Sequence, residues 1–408
     1  MNERRVLVTG ATGFIGRHCL AGLQARGYEI HATTSSAVPA QNGVHWHQLD
    51  LLDHARTTTL LAKLQPDSLL HLAWYAKHGL FWQAFENVDW VRASLSLLRA
   101  FIAHGGRRMV CAGSCAEYDW SNGICSEDTT PLRPQGLYGV AKNALHSIAA
   151  AAARRSAISF AWGRIFYLYG EGEQDARLVP LIINAQLRGE RITLTGGSLQ
   201  RDYLHVADVA AALVALLDSR VEGAVNIGSE HAVTIRAIAD RLTARLGRPE
   251  LVEFAARDGN GTEIPLVVAD TKRLTGELHW KPAIGLDHVA VERDRALAEL
   301  REVEHRAQRA ADQALDFLGA ARLLAARRFT VGAGMGRARQ HAVLRRHPAL
   351  ARALQPARHP LGERGRAQHS GAAEAHQDRP LGLVQTAALE AHGSQLVIGP
   401  AIGAGHGR

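Results

Sequence analysis

The chain has 408 residues, 47% of them hydrophobic, a length that buries more than one core and excludes a single small binding module. Its net charge of +8 invites a nucleic-acid partner, yet residues 1–282 hold 29 Lys and Arg against 27 Asp and Glu, a net +2, while residues 283–408 hold 18 against 12, a net +6. The excess charge lies in the tail and says little about the first 282 residues, and no apolar run approaches the ~20 residues that cross a bilayer.

The four cysteines, Cys19, Cys111, Cys115 and Cys125, form no Cys-x-x-Cys pair. The only apolar run at the N-terminus is a three-residue strand, Val6-Leu7-Val8, that leads straight into a glycine-rich turn, so no signal peptide is expected. A cytoplasmic protein with reduced thiols is the consequence. After that strand, Ile15, Cys19, Leu20 and Leu23 recur at helical spacing. The turn between strand and helix, Gly10-Ala11-Thr12-Gly13-Phe14-Ile15-Gly16, lets the backbone bend sharply, lets a pyrophosphate approach the main chain and places the anion at a helix N-terminus. Gly10, Gly13 and Gly16 are spaced three and three. That spacing resembles the short-chain dehydrogenase/reductase superfamily, in particular its extended group of nucleotide-sugar epimerases, dehydratases and reductases.

The resemblance implies an α/β fold, a Rossmann-type doubly wound parallel sheet with a smaller, discontinuous C-terminal substrate domain. The cofactor domain would span residues 1–165, completed by about 205–228, with residues 166–204 and 229–286 forming the substrate domain. Tyr28 to Thr34 reads as the second strand, whose end reads the adenosine ribose in dinucleotide folds. Thr34, Ser35 and Ser36 stand there in place of an Asp, so NADP is favoured over NAD as cofactor, although hydroxyl-rich turns are common on their own account. His47 to Leu51 ends the next strand. In the resembled family an Asp followed by an apolar residue holds the adenine there, which would be Asp50 and Leu51; the alternative for Asp50 is a cap for the helix starting near Asp53. Ser68 to Ala73 is a buried strand resembling the family's His-Leu-Ala segment, with Leu72 and Ala73 against the cofactor and His71 a packed strand residue.

Trp74, Tyr75, Phe81, Trp82 and Phe85 crowd the following loop, either as a stacking surface near the cofactor or as packing beneath a long connection. Asn87 opens a helix with Val91, Leu95, Leu98 and Ile102 on one face. The resemblance places this helix, with the one that begins near Tyr138, in a homodimer interface.

Met109 to Ser114 forms the next strand. Tyr138 and Lys142 follow at the start of a helix whose Leu145, Ile148 and Ala152 share one side, and residues four apart on a helix share a face. A phenol of ordinary pKa ≈ 10 is a poor base at neutral pH, and a cation ~4–6 Å away favours the phenolate. Lys142 would supply that charge and hold the nicotinamide ribose, Ser114 would fix the substrate oxygen, and Tyr138 would pass the proton while hydride moves to or from carbon. Family dehydratases carry an Asp-Glu pair just after the strand-end hydroxyl; Cys115 and Ala116 stand there, Glu117 comes one place late, and 4,6-dehydration is disfavoured.

In Arg164-Ile165-Phe166-Tyr167-Leu168-Tyr169-Gly170, Tyr167 stands where the family has a substrate-binding Asn. Leu178 to Leu187 reads as a helix and Ile192 to Leu194 as a strand, then Arg201-Asp202-Tyr203-Leu204-His205-Val206 resembles the segment whose Arg contacts a nucleotide diphosphate. The alternative for Arg201 is a surface ion pair with Asp202. Val225 to Ser229 resembles a strand returning to the main sheet, and Arg257 resembles a second phosphate-contacting arginine.

The expected activity is NAD(P)-dependent reduction of a nucleotide-linked 4-keto-6-deoxy sugar, with a nucleotide-sugar 4-epimerase as runner-up. A cofactor-sensing regulator, from another class, commonly loses the Tyr or Lys, and both are kept here. The partners expected are a nucleotide sugar and a second copy of the chain, with no nucleic acid and no membrane. From Ala283 onward the sequence has no Lys, Asn, Cys, Trp or Tyr. Val289 to Ala326 is compatible with a charged helix, and beyond Gly332 there is no sustained period. A reading frame shifted after about Asp287 explains this composition; a basic arm is the alternative and predicts salt-dependent nucleic-acid binding lost on truncation. The tail's nine histidines lack a His-Glu-x-x-His spacing, and no metal is expected. Removing residues 289–408 is expected to leave thermal unfolding and NADH titration unchanged; loss of folding or of cofactor binding overturns the frameshift reading.

Overall fold

The computed structural model describes residues 4–38, 41–255, 264–286 and residue 309, so Arg257 and, apart from residue 309, everything after residue 286 lie outside the described residues. Strand β1 (Arg4–Thr9) leads through the glycine turn into α1 (Gly16–Ala25), and β2 (Tyr28–Thr34), β3 (Val44–Gln48), α2 (His54–Leu64), β4 (Ser68–His71), α3 (Glu86–Ala103) and β5 (Arg108–Ser114) follow. Then come β6 (Ile124–Cys125), α4 (Leu137–Ser156), β7 (Ser159–Ile165), β8 (Tyr167–Tyr169), α5 (Leu178–Arg188), β9 (Ile192–Leu194), β10 (Gln200–His205), α6 (Val206–Asp218) and β11 (Gly223–Ile227). The described fold closes with β12 (Ala232–Thr234), α7 (Ile235–Leu246), β13 (Val252–Phe254), β14 (Leu266–Ala269) and α8 (Lys272–Gly276).

Seven strands form one parallel sheet in the order β11-β7-β5-β4-β1-β2-β3. The chain runs outward from β1 to β3 and then crosses to β4. That reversal opens a crevice at the carboxyl ends of β1 and β4, where open α/β sheets bind ligands. Side-chain alternation feeds both faces: Val6 and Val8 pack with Leu20, Leu23, Leu213 and Leu216 of α1 and α6, while Leu7 packs with Leu61, Leu97, Phe101 and Leu145 of α2, α3 and α4. These leucines are almost wholly buried, each worth about 2 kcal/mol of hydrophobic stabilisation.

The sequence pattern and the packed faces differ in two helices. In α3 the buried residues are Asn87, Ala93, Ser94, Leu97, Leu98, Ala100 and Phe101, with Val91, Leu95 and Ile102 only partly buried. In α4 Leu145 is buried as expected, but Ala141, Ala149 and Ala153 complete the face and Ile148 is 48% exposed. Alanines let α4 approach the sheet closely, so small residues rather than the large apolar ones define its inner side. Asp53, not Asp50, caps α2, accepting from the Arg56 amide at 3.0 Å, while Asp50 accepts from the Leu52 amide.

The rest of the described chain builds a smaller lobe. β10 pairs in parallel with β8 and β14 and antiparallel with β12, β14 pairs with β6, and β13 pairs with β9. Its core joins α5 and α7 through Ile182, Ile183, Ile238 and Leu242. Asp202 of β10, fully buried, ties the lobe together. It accepts from the Ser229 amide (2.7 Å) and hydroxyl (2.6 Å), the Glu230 amide (3.0 Å) and the Ala269 amide (3.1 Å). Asp202→Ala leaves those donors without acceptors and is expected to cost about 3 kcal/mol, read as a lower denaturant midpoint at unchanged slope.

Candidate active site

The glycine turn sits at the carboxyl end of β1. Gly10 adopts φ +70°, and a Cβ there would lie 2.7 Å from the Ala73 nitrogen; at Gly16 it would lie 2.1 Å from the Gly10 oxygen. Both positions require glycine for close backbone approach, as expected, whereas at Gly13 a Cβ would meet the Gly10 oxygen at 3.0 Å. Helix α1 starts with no side-chain cap and no acidic residue in its first turn; within that turn the Arg17 and His18 amides donate to the Gly13 and Ile15 carbonyls. The exposed turn residue Thr12, the amide groups of Phe14 and Ile15, and the uncapped terminus suit a pyrophosphate. Arg17, which gave no signal in the sequence, lies along the turn, its guanidinium donating to the Thr12 and Gly13 carbonyls at 3.3 Å.

At the end of β2, Thr34 is buried and its hydroxyl accepts from the Ser36 amide at 3.2 Å, while Ser35 is exposed. Asp50 is exposed and Leu51 buried beneath it, with Leu49 and Ala73 in the same small apolar cluster. The Thr9 hydroxyl accepts from the Leu72 and Ala73 amides and bonds His71 Nδ1 at 2.7 Å; His71 Nε2 bonds Ser94 at 2.8 Å. Burial, with the charge of Lys142, lowers the His71 imidazole to about 3. It is a neutral strand residue, as expected, that fixes the segment under Gly10.

Ser114 ends β5, and α4 begins twenty-three residues later at Leu137. The loop between β4 and α3 caps that helix: the Trp82 carbonyl accepts from the Tyr138 amide at 3.0 Å and Gln83 Oε1 from the Leu137 amide at 3.3 Å. Phe81 and Trp82 stand edge-on to the Tyr138 ring, at 4.8 and 5.8 Å between centroids. The aromatic loop is therefore both packing and a wall of the site. Burial raises the Tyr138 phenol; the hydrogen bond with Ser114 and the charge of Arg177 pull it down. Arg177, before α5, also escaped the sequence reading. It pairs with Glu173 at 3.4 Å and lies 3.5 Å from His78 Nδ1, and no motif marks it.

Lys142, one turn after Tyr138, is buried. Its ammonium donates to the Ala112 carbonyl at 2.9 Å and sits 3.8 Å above the Trp74 ring, a cation–π contact at the crevice. The Trp74 indole is held by Asn87 Oδ1 at 2.9 Å. Burial brings Lys142 down to about 8, opposed by Glu117 and Cys111. Because this lies below its ordinary 10.5, the ammonium is present at lower pH and is lost as pH rises through about 8.

In the smaller lobe the Tyr167 and Tyr203 rings approach at 5.5 Å, and the Arg201 guanidinium lies 5.6 Å from the Tyr167 ring centroid. Burial raises Tyr167 to about 12, with Arg201 pulling it down. Arg201 is buried, its guanidinium donating to the Gln200 and Pro265 carbonyls at 2.8 and 3.4 Å, while Asp202 accepts from backbone amides, which replaces the surface ion pair weighed from the sequence. Among the described residues no group of His, Cys, Asp and Glu is placed to hold a metal. No described helix is long and apolar enough to cross a membrane.

Residues 6–228 match the model of the NAD dependent epimerase/dehydratase family. The chain is 28% identical over 318 residues to a UDP-glucose 4-epimerase of Rhizobium meliloti (strain 1021), covering 70% of this chain and 94% of the relative. It is 24% identical over 305 residues to a dTDP-4-dehydro-6-deoxyglucose reductase of Escherichia coli, covering 69% and 94%. Among solved structures, MoeE5 in complex with UDP-glucose and NAD superposes with a TM-score of 0.62 at 30% identity, covering 72% of this chain and 99% of that one.

Gly10→Ala places a methyl group into the Ala73 backbone at an unfavourable φ. The variant is expected to lose NADH binding and more than about 1 kcal/mol of stability, checked by fluorescence titration and thermal unfolding.

Proposed function

Because the chain belongs to the NAD dependent epimerase/dehydratase family, we propose that it exchanges a hydroxyl and a ketone at C4 of a nucleotide-linked hexose through Ser114, Tyr138 and Lys142. The observation that carries this reading is the placement of Ser114 at the carboxyl end of β5 with Tyr138 and Lys142 one turn apart in the first turns of α4, Ser114 acting against burial on the Tyr138 phenol. When bound, NAD(P) supplies or takes up the hydride. Ser114 holds the C4 oxygen, Tyr138 gives or takes its proton, and Lys142 places a positive charge beside the crevice. The glycine turn and the uncapped α1 terminus fit the cofactor's pyrophosphate. Residues 1–165 and 205–228 would hold the cofactor, residues 166–204 and 229–286 the substrate.

The reductive form of this reaction, on a 4-keto-6-deoxy sugar, is supported by desolvation that raises the Tyr138 phenol and so favours its acid form, the form that delivers a proton to the oxygen of a ketone being reduced. The E. coli reductase is among the relatives that support it. A 4-epimerase is the second reading, supported by the Rhizobium relative. Thr34, Ser35 and Ser36 in place of a carboxylate support NADP over NAD. Tyr167, Arg201 and Arg257 are the residues proposed to receive the sugar and its diphosphate. Buried free thiols at all four cysteines accord with a cytoplasmic setting.

A homodimer built on α3 and α4 is proposed as well. Phe85 is 81% exposed, and Val88, Val140 and Ile148 are each about half exposed, an apolar set on that side of the fold. Ile148→Arg is expected to shift the sedimenting species to monomer; an unchanged species removes these helices as the interface.

Tyr138→Phe is expected to abolish turnover while cofactor affinity stays within about twofold, since only the proton-bearing oxygen is removed. Retained turnover removes Tyr138 as the proton carrier. The two forms separate on the purified protein: co-purifying NAD marks an epimerase, whereas an empty protein that binds NADPH better than NADH marks a reductase.

A further inference from the structure

Glu117 lies three residues past Ser114 with no exposed surface, in a position where a carboxylate is costly to bury. Its Oε1 accepts from the Ser114 amide at 2.8 Å and from the Trp162 indole at 2.9 Å. Its Oε2 accepts from Arg164 Nε at 2.8 Å and shares the indole at 3.1 Å. Arg164 is equally buried; it donates to the Tyr118 hydroxyl at 3.0 Å, lies 4.6 Å over the Tyr118 ring and 3.4 Å from His146 Nδ1. Tyr118 in turn donates to Asn226 Oδ1 at 2.8 Å, joining β11 to the end of β5. Gly113 makes room for this arrangement, because a Cβ there would lie 2.1 Å from the Trp162 indole nitrogen.

We propose that Glu117, paired with Arg164, is a positioning residue: it holds the backbone of Ser114 at the end of β5 and sets a negative charge against the nitrogen of the Trp162 indole, whose ring lies 6.0 Å from Lys142 Nζ. A well-packed apolar pair would stabilise the fold as well as a buried ion pair does, so stability alone does not call for these charges. Direct hydrogen bonding fixes the backbone that carries the Ser114 hydroxyl, which is the partner of Tyr138. Charge does the second part. The groups acting on Lys142 from the elements around it are Glu117 and Cys111, with the neutral His71 and the Trp74 face beside it. Burial and Glu117 oppose each other there, and loss of the carboxylate leaves burial the stronger, so the ammonium is lost at lower pH.

The proposal rests on the hydride-exchange reading, and its test includes a measurement that does not need a sugar. The full chain, Glu117→Gln and the charge-neutral double variant Glu117→Gln/Arg164→Met are compared in two assays across pH 6 to 10. One is NADH and NADPH binding by energy transfer from tryptophan. The other is turnover with nucleotide-linked 4-keto hexoses and with UDP-glucose. Expected for both variants is an alkaline midpoint of binding and of kcat/KM moved down by about half a pH unit or more. An approximately tenfold fall in kcat with KM little changed is expected alongside it, with far-UV circular dichroism retained. Midpoints equal to those of the full chain in both assays overturn the proposal. Collapse of both variants overturns it too, since the pair would then serve the fold rather than the site. A full chain that binds cofactor but turns over no nucleotide sugar defeats the functional reading instead, and the binding midpoints still decide the role of Glu117.

Discussion

The site depends on one close approach: the backbone of Gly10 against the backbone of Leu72 and Ala73, where even a methyl group would sit within 3 Å of three main-chain atoms. That approach brings the carboxyl ends of β1 and β4 together at the point where strand order reverses. Thr9 and His71 lock it from below through a chain of buried hydrogen bonds that ends on Ser94 of α3. With the crevice floor set, Trp74 follows directly from Ala73, carries the Lys142 ammonium on its face, and so links the glycine turn to the Ser114, Tyr138 and Lys142 set.

Burial governs the electrostatics of this crevice. It pushes the Tyr138 and Tyr167 phenols up and the Lys142 ammonium down, and the opposing influences are few and specific: Ser114 and Arg177 on Tyr138, Arg201 on Tyr167, Glu117 on Lys142. Each comes from a different part of the chain. A low-dielectric pocket makes such contacts count, which is why a single carboxylate behind β5 matters to a lysine on α4.

The smaller lobe is organised by a different means. Asp202 spends its side chain on the Ser229 amide and hydroxyl and the Glu230 and Ala269 amides, while its neighbour Arg201 donates to the Gln200 and Pro265 carbonyls beside the Tyr167 ring. Two adjacent residues of opposite charge thus serve the lobe's backbone from side chains that alternate across one strand.

Much of this was legible in the sequence. The strand-turn-helix around Gly10, the span of β2, the helix at Leu178, and the places of Ser114 at a strand end and of Tyr138 and Lys142 at a helix start follow from period and glycine spacing, because those signals are local, whereas the parallel sheet follows from the family resemblance. The inner face of α4 was misjudged, since alanines carry little hydrophobic signal, and the alternative of Asp50 as the cap of α2 gives way to Asp53, since two nearby aspartates are equally good caps on paper. Arg177, Arg17 and the Glu117–Arg164 pair were decided only by tertiary structure. Their partners lie many residues away or on other strands, and nothing in the spacing of a lone arginine or a misplaced glutamate says which buried group it will meet.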